Sequence, residues 1–334
     1  MKRNLMLAVT VFAVIQFLSC KKNTNEYNSD LNSPERSTDW VSKPEFLITN
    51  YGAKGDGKKS CTWVFKKILG MMTADGGTIV IPQGEFRIDT PIVIDKSYVT
   101  IRGYNEGIRS NVDIKIDSML APSGGSKLLL KNCDTLIVIK RSAASDKRIS
   151  GLTIKNISLA RPTDSIKGVG IAITHNNDGI RISDVVCINL NTGIYANLSD
   201  AMIIQNCWIS ECMKSIFMEN GKQNMIANCQ LGGIPSPDNT DRNSNNTVLL
   251  KNQENFVFNG NHVYPDGDVN LKIENGMMVN VTGNNFQSHY VGMIEVENSM
   301  NNLISNNIFW MRNLSVNSEK QLRKKMNDYG VIRI

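Results

Sequence analysis

From about residue 150 the chain alternates apolar and polar positions in short runs, and each run breaks at a small, acidic or amide residue before the alternation resumes. The runs include Ile204-Gln205-Asn206-Cys207-Trp208-Ile209, Ile226-Ala227-Asn228-Cys229-Gln230-Leu231 and Ile304-Ser305-Asn306-Asn307-Ile308-Phe309. Taking the breaking residue as a marker gives Asn156, Asp184, Asn206, Asn228, Gly260, Gly283 and Asn306, at steps of 28, 22, 22, 32, 23 and 23 residues. Alternation of period two predicts strands, and no helical period separates them. A repeat of this length with Asn or Gly at its corners predicts an all-β, right-handed parallel β-helix, in which each 22- or 23-residue step is one rung stacked about 4.8 Å from the next. A leucine-rich repeat has a similar period, but its Leu-x-x-Leu-x-Leu spacing and repeated helix are missing. The register suggests that the marker amides point inward and stack as a ladder; their frequency in turns is the plainer explanation of the composition. Cys207 and Cys229, at equivalent places in successive rungs, are expected to be packed thiols. The 32-residue step contains the polar stretch 235–241 and is expected to form a loop there.

An open solenoid end must be covered. Residues 60–72 suit a short capping helix, with Ser60 or Thr62 as N-cap and Trp63, Phe65, Ile68, Leu69 and Met72 as its apolar face. Extended segments follow at 77–81, 85–88 and 98–101, and the β-helix is expected from about residue 77 to the end.

Residues 1–20 have the form of a lipoprotein signal peptide: Lys2 and Arg3, an apolar run over 5–18, then Leu18-Ser19-Cys20, with Cys20 the expected lipidation site. Ordinary secretion with a chance cysteine is the alternative. Residues 21–43, rich in Asn and Ser, read as a flexible tether, and 44–334 as a single β-helix domain shortened at its C-terminus. The expected location is the bacterial cell envelope, with membrane attachment through the lipid anchor only. Hydrophobic residues make up 41% of the chain and no later apolar run is long enough to span a bilayer, which excludes a polytopic membrane protein. The +6 net charge comes from scattered residues without a basic stripe, so nucleic acid is not an expected partner. The six cysteines beyond Cys20 do not look like the framework of a small stapled fold, and His175, His262 and His289 lack zinc-type spacing. No metal or other cofactor is expected.

The stretch 50–57 (Asn-Tyr-Gly-Ala-Lys-Gly-Asp-Gly), followed by 76–86 (Gly-Gly-Thr-Ile-Val-Ile-Pro-Gln-Gly-Glu-Phe), resembles the N-terminal signature of the pectate-lyase-like β-helix superfamily. Lys58-Lys59-Ser60 stands where that superfamily usually has an acidic run. Further stretches, in order, are similar to the inulin fructotransferases, glycoside hydrolase family 91: 101–107, 124–128, Ile209-Ser210-Glu211-Cys212, 285–293, 302–307 and 328–334. The similarity runs from about Tyr98 to Ile334, where the chain stops inside a stretch that family members continue. Pectinolytic readings are disfavoured, because Asn191-Thr192-Gly193 lacks the acid of an Asn-Thr-Asp element and no histidine lies in Gly-His-Gly.

The resemblance implies intramolecular fructosyl transfer at the end of inulin, releasing a difructose dianhydride, with hydrolysis of the dianhydride as the alternative. It also implies a homotrimer with sites near subunit boundaries. A pectinase-like or non-catalytic glycan-binding β-helix remains a further alternative. Ketosidic cleavage needs one carboxylic acid to protonate the departing oxygen and one carboxylate to deprotonate the incoming hydroxyl. Asp200 lies six residues before Asn206 and Glu211 five after it, so they flank one rung; equivalent offsets place Asp178, Lys222 and Glu254 in a column of charges with Asp200. From spacing alone, a turn aspartate and a solvated corner glutamate are the better descriptions. Asp200 and Glu211 coincide with the family's acidic pair at the same separation, which makes them the expected catalytic residues. His289 and Tyr290, on the corner after Phe286, are expected to contact the fructan or fructose disaccharide substrate, or else to pack under a neighbouring loop or subunit. Asp178 is the third expected substrate contact.

Overall fold

In the computed structural model, residues 43–334 are described apart from 108–124, 142–146, 162–165, 234–245, 265–268, 289–292, 312–331 and 334. Cys20, the signal, nearly all of the tether, the 235–241 loop, His289 and Tyr290 lie outside the described residues. Among the described residues no helix is long and apolar enough to cross a membrane.

One rung shows how the chain coils. Ile203–Gln205 forms face one; Asn206 turns the corner; Trp208–Cys212 forms face two; and after a tight turn Lys214–Lys222 runs back as face three. Every strand pairs in parallel with its equivalents one rung away. Ile204 lies between Ile182 and Ile226, Trp208 between Val186 and Gln230, and Ile216 between Ile194 and Val248. Faces one and two form one continuous sheet and face three the other, a right-handed parallel β-helix as parallel crossovers dictate. Stacking starts earlier than residue 77: Glu45–Leu47 and Asp56–Ser60 pair with the strands Gly77–Ile81 and Gly84–Ile88.

Inward positions are nearly all aliphatic or aromatic and fully buried, as in the isoleucines 154, 182, 204 and 226 of face one and 137, 171, 194 and 216 of face three. Each such side chain contributes about 1.5–3 kcal/mol relative to exposure. Towards the C-terminal rungs, Phe258, Phe286 and Phe309 stack at centroid distances of 6.2 and 5.5 Å.

All seven marker residues have positive φ, between 53° and 66°. Asn, Asp and Gly recur there because they tolerate left-handed backbone, which costs other L-residues roughly 1–2 kcal/mol. The expected inward ladder is displaced by one residue. A left-handed residue ends the face-one strand with its side chain outward, leaving Asn206, Asn228 and Asn306 exposed, and the following residue turns in. There Asn261 donates to Asn284 Oδ1 at 3.1 Å, and Asn284 to Asn307 Oδ1 at 3.0 Å. The same oxygens accept the backbone N–H of Asn261 and Asn284, each at 2.9 Å. Cys207 and Cys229 precede them in this column, both buried as free thiols. A second, exposed ladder runs Asn275 to Asn252 to Asn220 to Asn197, with spacings of 2.9, 2.7 and 3.0 Å.

Helix α1, Thr62–Met71, lies at the N-terminal end and buries Val64, Phe65, Ile68 and Leu69. Two details differ from expectation. Cys61 occupies the N-cap position, with no side-chain cap bond, because Thr62 Oγ1 instead donates to Thr90 O at 3.1 Å and thereby ties the helix to the next strand. Trp63 is 53% exposed and Val64 takes the inward place: the actual helix phase puts the indole over Gly52, which has φ 98°.

Where face three begins, it closes tightly on face two. A Cβ at Gly193 would sit 2.4 Å from Ile209 Cγ2 and 2.7 Å from the Ser215 carbonyl oxygen. The next position up the column, Ser215, donates to Gly232 O at 2.8 Å and satisfies a carbonyl at the turn. Gly193→Ala is therefore expected to lower stability by about 1–3 kcal/mol through overpacking, measured by urea denaturation.

Candidate functional site

Two edges of the prism and the face between them carry the chemistry. At the edge joining face three to face one, strict parallel register stacks Asp178 on Asp200, Asp200 on Lys222 and Lys222 on Glu254. The column inferred from offsets is therefore real. Arg148 comes within 3.7 Å of the Asp178 carboxylate and 3.4 Å of Asp200, so one guanidinium lies against both acids. Lys222 pairs with Glu254 at 2.8 Å; this hydrogen bond and the adjacent carboxylate charge hold its pKa above the ordinary lysine value.

Glu211 lies at the opposite edge, in the turn from face two to face three. Its φ is 51°, and the register between Trp208–Cys212 and the next rung shifts there. One rung earlier Asn189 takes the same left-handed conformation, φ 56°, with a residue type suited to it. Glutamate at this place is a local strain without a backbone reason, and strain of this kind concentrates at functional positions. Replacing Glu211 by Asn is expected to leave stability unchanged or raise it by up to about 1 kcal/mol in urea denaturation, the relief of a left-handed non-amide residue.

The structure does not bring Asp200 and Glu211 together within one chain. Lys222, stacked on Asp200, ends the nine-residue strand Lys214–Lys222 that begins just after Glu211. At about 3.3 Å per residue the straight run from Lys214 to the left-handed corner at Asn220 spans roughly 20 Å, which sets the two acids at opposite edges of the prism.

Between Glu211 and the Asn206 corner, the outer surface of face two carries residues that the sequence reading did not single out. One outward column runs Val186, Trp208, Gln230, His262, Asn285; a second runs Ser210, Gly232, Tyr264, Gln287, Trp310. The Tyr264 ring leans over Gly232, and its hydroxyl donates to Gln230 Oε1 one rung below. The His262 ring lies tilted by 30° against Tyr264 with centroids 4.4 Å apart and meets the Gln287 amide through Nε2 at 2.6 Å. Burial lowers the His262 pKa, partly offset by Gln287, and raises that of Tyr264. Beside Trp208 a cavity of about 240 Å³ opens towards the Asn206 corner. The signal for this surface was in the repeat: the columns fall two and four residues after each marker.

Because the folded-state pKa of His262 lies below 6.5, the unfolded chain binds the extra proton more readily as pH falls, so stability rises with pH through this window and is lost below about 6.5. The wild-type protein is expected to lose more stability between pH 7 and pH 5 than His262→Gln, measured by urea denaturation at both pH values.

The fold and the outward-facing aromatic, amide and carboxylate positions define a parallel β-helix protein whose long faces present side chains once per rung. The chain belongs to the NosD family: the profile described as periplasmic copper-binding protein (NosD) matches residues 123–330. An inulin fructotransferase (DFA-I-forming) of Arthrobacter globiformis is 24% identical over 251 residues, a match covering 70% of this chain and 61% of that relative's length. Among solved structures, the DFA-IIIase of Arthrobacter chlorophenolicus A6 in complex with DFA-III is 22% identical with a TM-score of 0.68, covering 79% of this chain and 67% of the other. The same enzyme without its lid, in complex with GF2, gives 21% and 0.70, covering 82% and 74%. These bear out the resemblance to inulin fructotransferases and the β-helix fold.

Copper appears in the family's description, and the described residues do not fit it. Among them no group of three or more His, Cys, Asp or Glu side chains is placed to hold a metal. The thiols of Cys187, Cys207 and Cys212 are sealed in the core, where burial pushes Cys212 up to about 12 and the other two well above their ordinary value, opposing the thiolate form that copper would need.

Proposed function

We propose that this protein is a fructan-active enzyme of the inulin fructotransferase kind, cleaving a β-2,1 fructosyl linkage at a chain end. The observation that carries this reading is the similarity over 251 residues to an enzyme named for forming a difructose dianhydride. In the reaction, one carboxylic acid protonates the glycosidic oxygen as its bond to C2 breaks. One carboxylate takes the proton from the fructosyl hydroxyl that forms the new bond to C2, closing the dianhydride. Asp200 and Glu211 fill these two roles. With water in place of the sugar hydroxyl, the same pair hydrolyses a dianhydride, a second reading favoured by the likeness to a DFA-IIIase holding DFA-III.

A separation of roughly 20 Å is too wide for two groups acting on one bond. The site is therefore shared: the Asp200 edge of one copy faces the Glu211 edge of the next, in a homotrimer, with Arg148 and Asp178 beside Asp200; His289 and Tyr290 are proposed as further substrate contacts. A ring with three such boundaries satisfies every edge. Export and acylation at Cys20 put the enzyme in the cell envelope, in keeping with the periplasmic description of the family.

The test is chromatography of products from inulin and, separately, from difructose dianhydride III. Wild type is expected to convert at least one of them, with Asp200→Asn and Glu211→Gln each inactive and folded. Co-refolding the two inactive variants should restore about a quarter of the activity, the share of boundaries that random assembly leaves intact. Normal turnover by either variant would remove the assignment, and inactive mixtures would remove the shared site.

A further inference from the structure

The cavity of about 240 Å³ beside Trp208 has a composition that selects its ligand. Its walls include the indole of Trp208, the side chains of Asn206, Asn228 and Gln230, and the carboxylates of Asp184 and Glu106. Among the described residues no lysine or arginine lines it, so an anionic ligand such as a uronate or a phosphate would meet two like charges there and no counter-charge from them. A neutral ligand with an apolar face and several hydroxyls matches every wall. The aromatic ring takes the C–H face, the amides both donate and accept, and the carboxylates accept from adjacent hydroxyls. The volume suits one sugar ring.

A second observation comes from the other Asn columns. On this solenoid, amides repeated at rung spacing normally bond one another, as in Asn261–Asn284–Asn307 and Asn197–Asn220–Asn252–Asn275. Asn206 and Asn228 are stacked at the same spacing, with Asn206 N donating to Ala227 O, yet among the described residues their side chains make no such bond, and the Asp184 carboxylate makes neither a hydrogen bond nor an ion pair. The polar groups of this one column are left for something other than each other.

We propose that this cavity is a saccharide-binding subsite that holds a non-reacting sugar ring of the fructan, with Trp208 as its stacking platform and Asp184, Asn206 and Asn228 as its hydroxyl partners. Trp208 and Glu211 belong to the same strand, three residues and about 10 Å apart, within the reach of a short oligosaccharide whose end lies at Glu211. The subsite makes affinity depend on chain length, since a disaccharide at Glu211 does not extend into it. This assignment rests on the fructan reading of the Glu211 edge.

Isothermal titration of the full chain carrying Glu211→Gln, which blocks turnover, tests it with a linear β-2,1 fructotetraose, the corresponding disaccharide and a trigalacturonate. The tetraose is expected to bind and the trigalacturonate not to. Adding Trp208→Ala, or Asp184→Gly with Asn206→Gly, should weaken the tetraose at least about tenfold and leave the disaccharide unchanged. The glycine pair preserves the left-handed corner, as Gly260 and Gly283 do in the same column, and so covers the case in which removing the indole disturbs packing. Tetraose affinity indifferent to both variants would overturn the subsite, and so would equal binding of trigalacturonate. Length-dependent binding by a protein whose wild type converts neither inulin nor the dianhydride would keep the subsite and remove the catalytic reading. Wild-type turnover with an unchanged KM in Trp208→Ala would do the reverse.

Discussion

Each rung hangs on a residue held at positive φ, because a parallel strand can continue into the next face only if the chain bends without losing its hydrogen bonds to the rungs above and below. Three such corners recur besides the turn at Asn189 and Glu211. One is the marker column from Asn156 to Asn306; a second includes Asn220, Asn252 and Asn275; a third includes Gly179, Ala201 and Gln223. With the bends fixed, in-register stacking repeats each side chain's direction from rung to rung, and core, ladders and charge column follow. Where the backbone bonds fail at the turn from face two to face three, buried polar side chains replace them: Ser215 caps Gly232 O, and Asn270 donates to Gln287 O at 2.8 Å and to Tyr264 O at 3.1 Å.

The left-handed corner is also why so much of the fold was legible. Left-handed backbone is costly for ordinary residues, so it writes Asn, Asp and Gly into the sequence at rung spacing. The direction of those side chains was not legible, because an alternating pattern loses its phase at the bend; hence the pattern points to positions one residue before the ladder of Asn261, Asn284 and Asn307. Helix α1 failed at the same level of detail: Trp63 and Val64 are both apolar, and only the packing over Gly52 decides which turns outward.

At the candidate site the charge column could be read because parallel register turns a 22-residue offset into a neighbour, as Asp178, Asp200 and Lys222 show. The relation of Asp200 to Glu211 needed the opposite inference. Eleven residues is half of a 22-residue rung, so closeness in sequence places the two acids on opposite edges. The Trp208, Gln230, His262 and Tyr264 surface escaped notice because no motif marks it; its members are unlike one another and become a set only when the rungs are stacked.

The rungs take additional residues where one face gives way to the next. The 32-residue step takes its additional residues between Gly233 and Asn246, while the corner segment from Gln205 to Trp208 has the same length in the next rung, Ala227 to Gln230. Insertions at either bend leave the hydrogen-bonded faces untouched: at the corner equivalent to Asn206, residues 104–125 separate Val99–Gly103 from Ser126–Leu130, and both strands keep their register on the neighbouring rungs. Descendants of this chain can therefore remodel what surrounds Glu211 by adding or removing loop length in steps of any size, and selection for a new substrate has an inexpensive place to act.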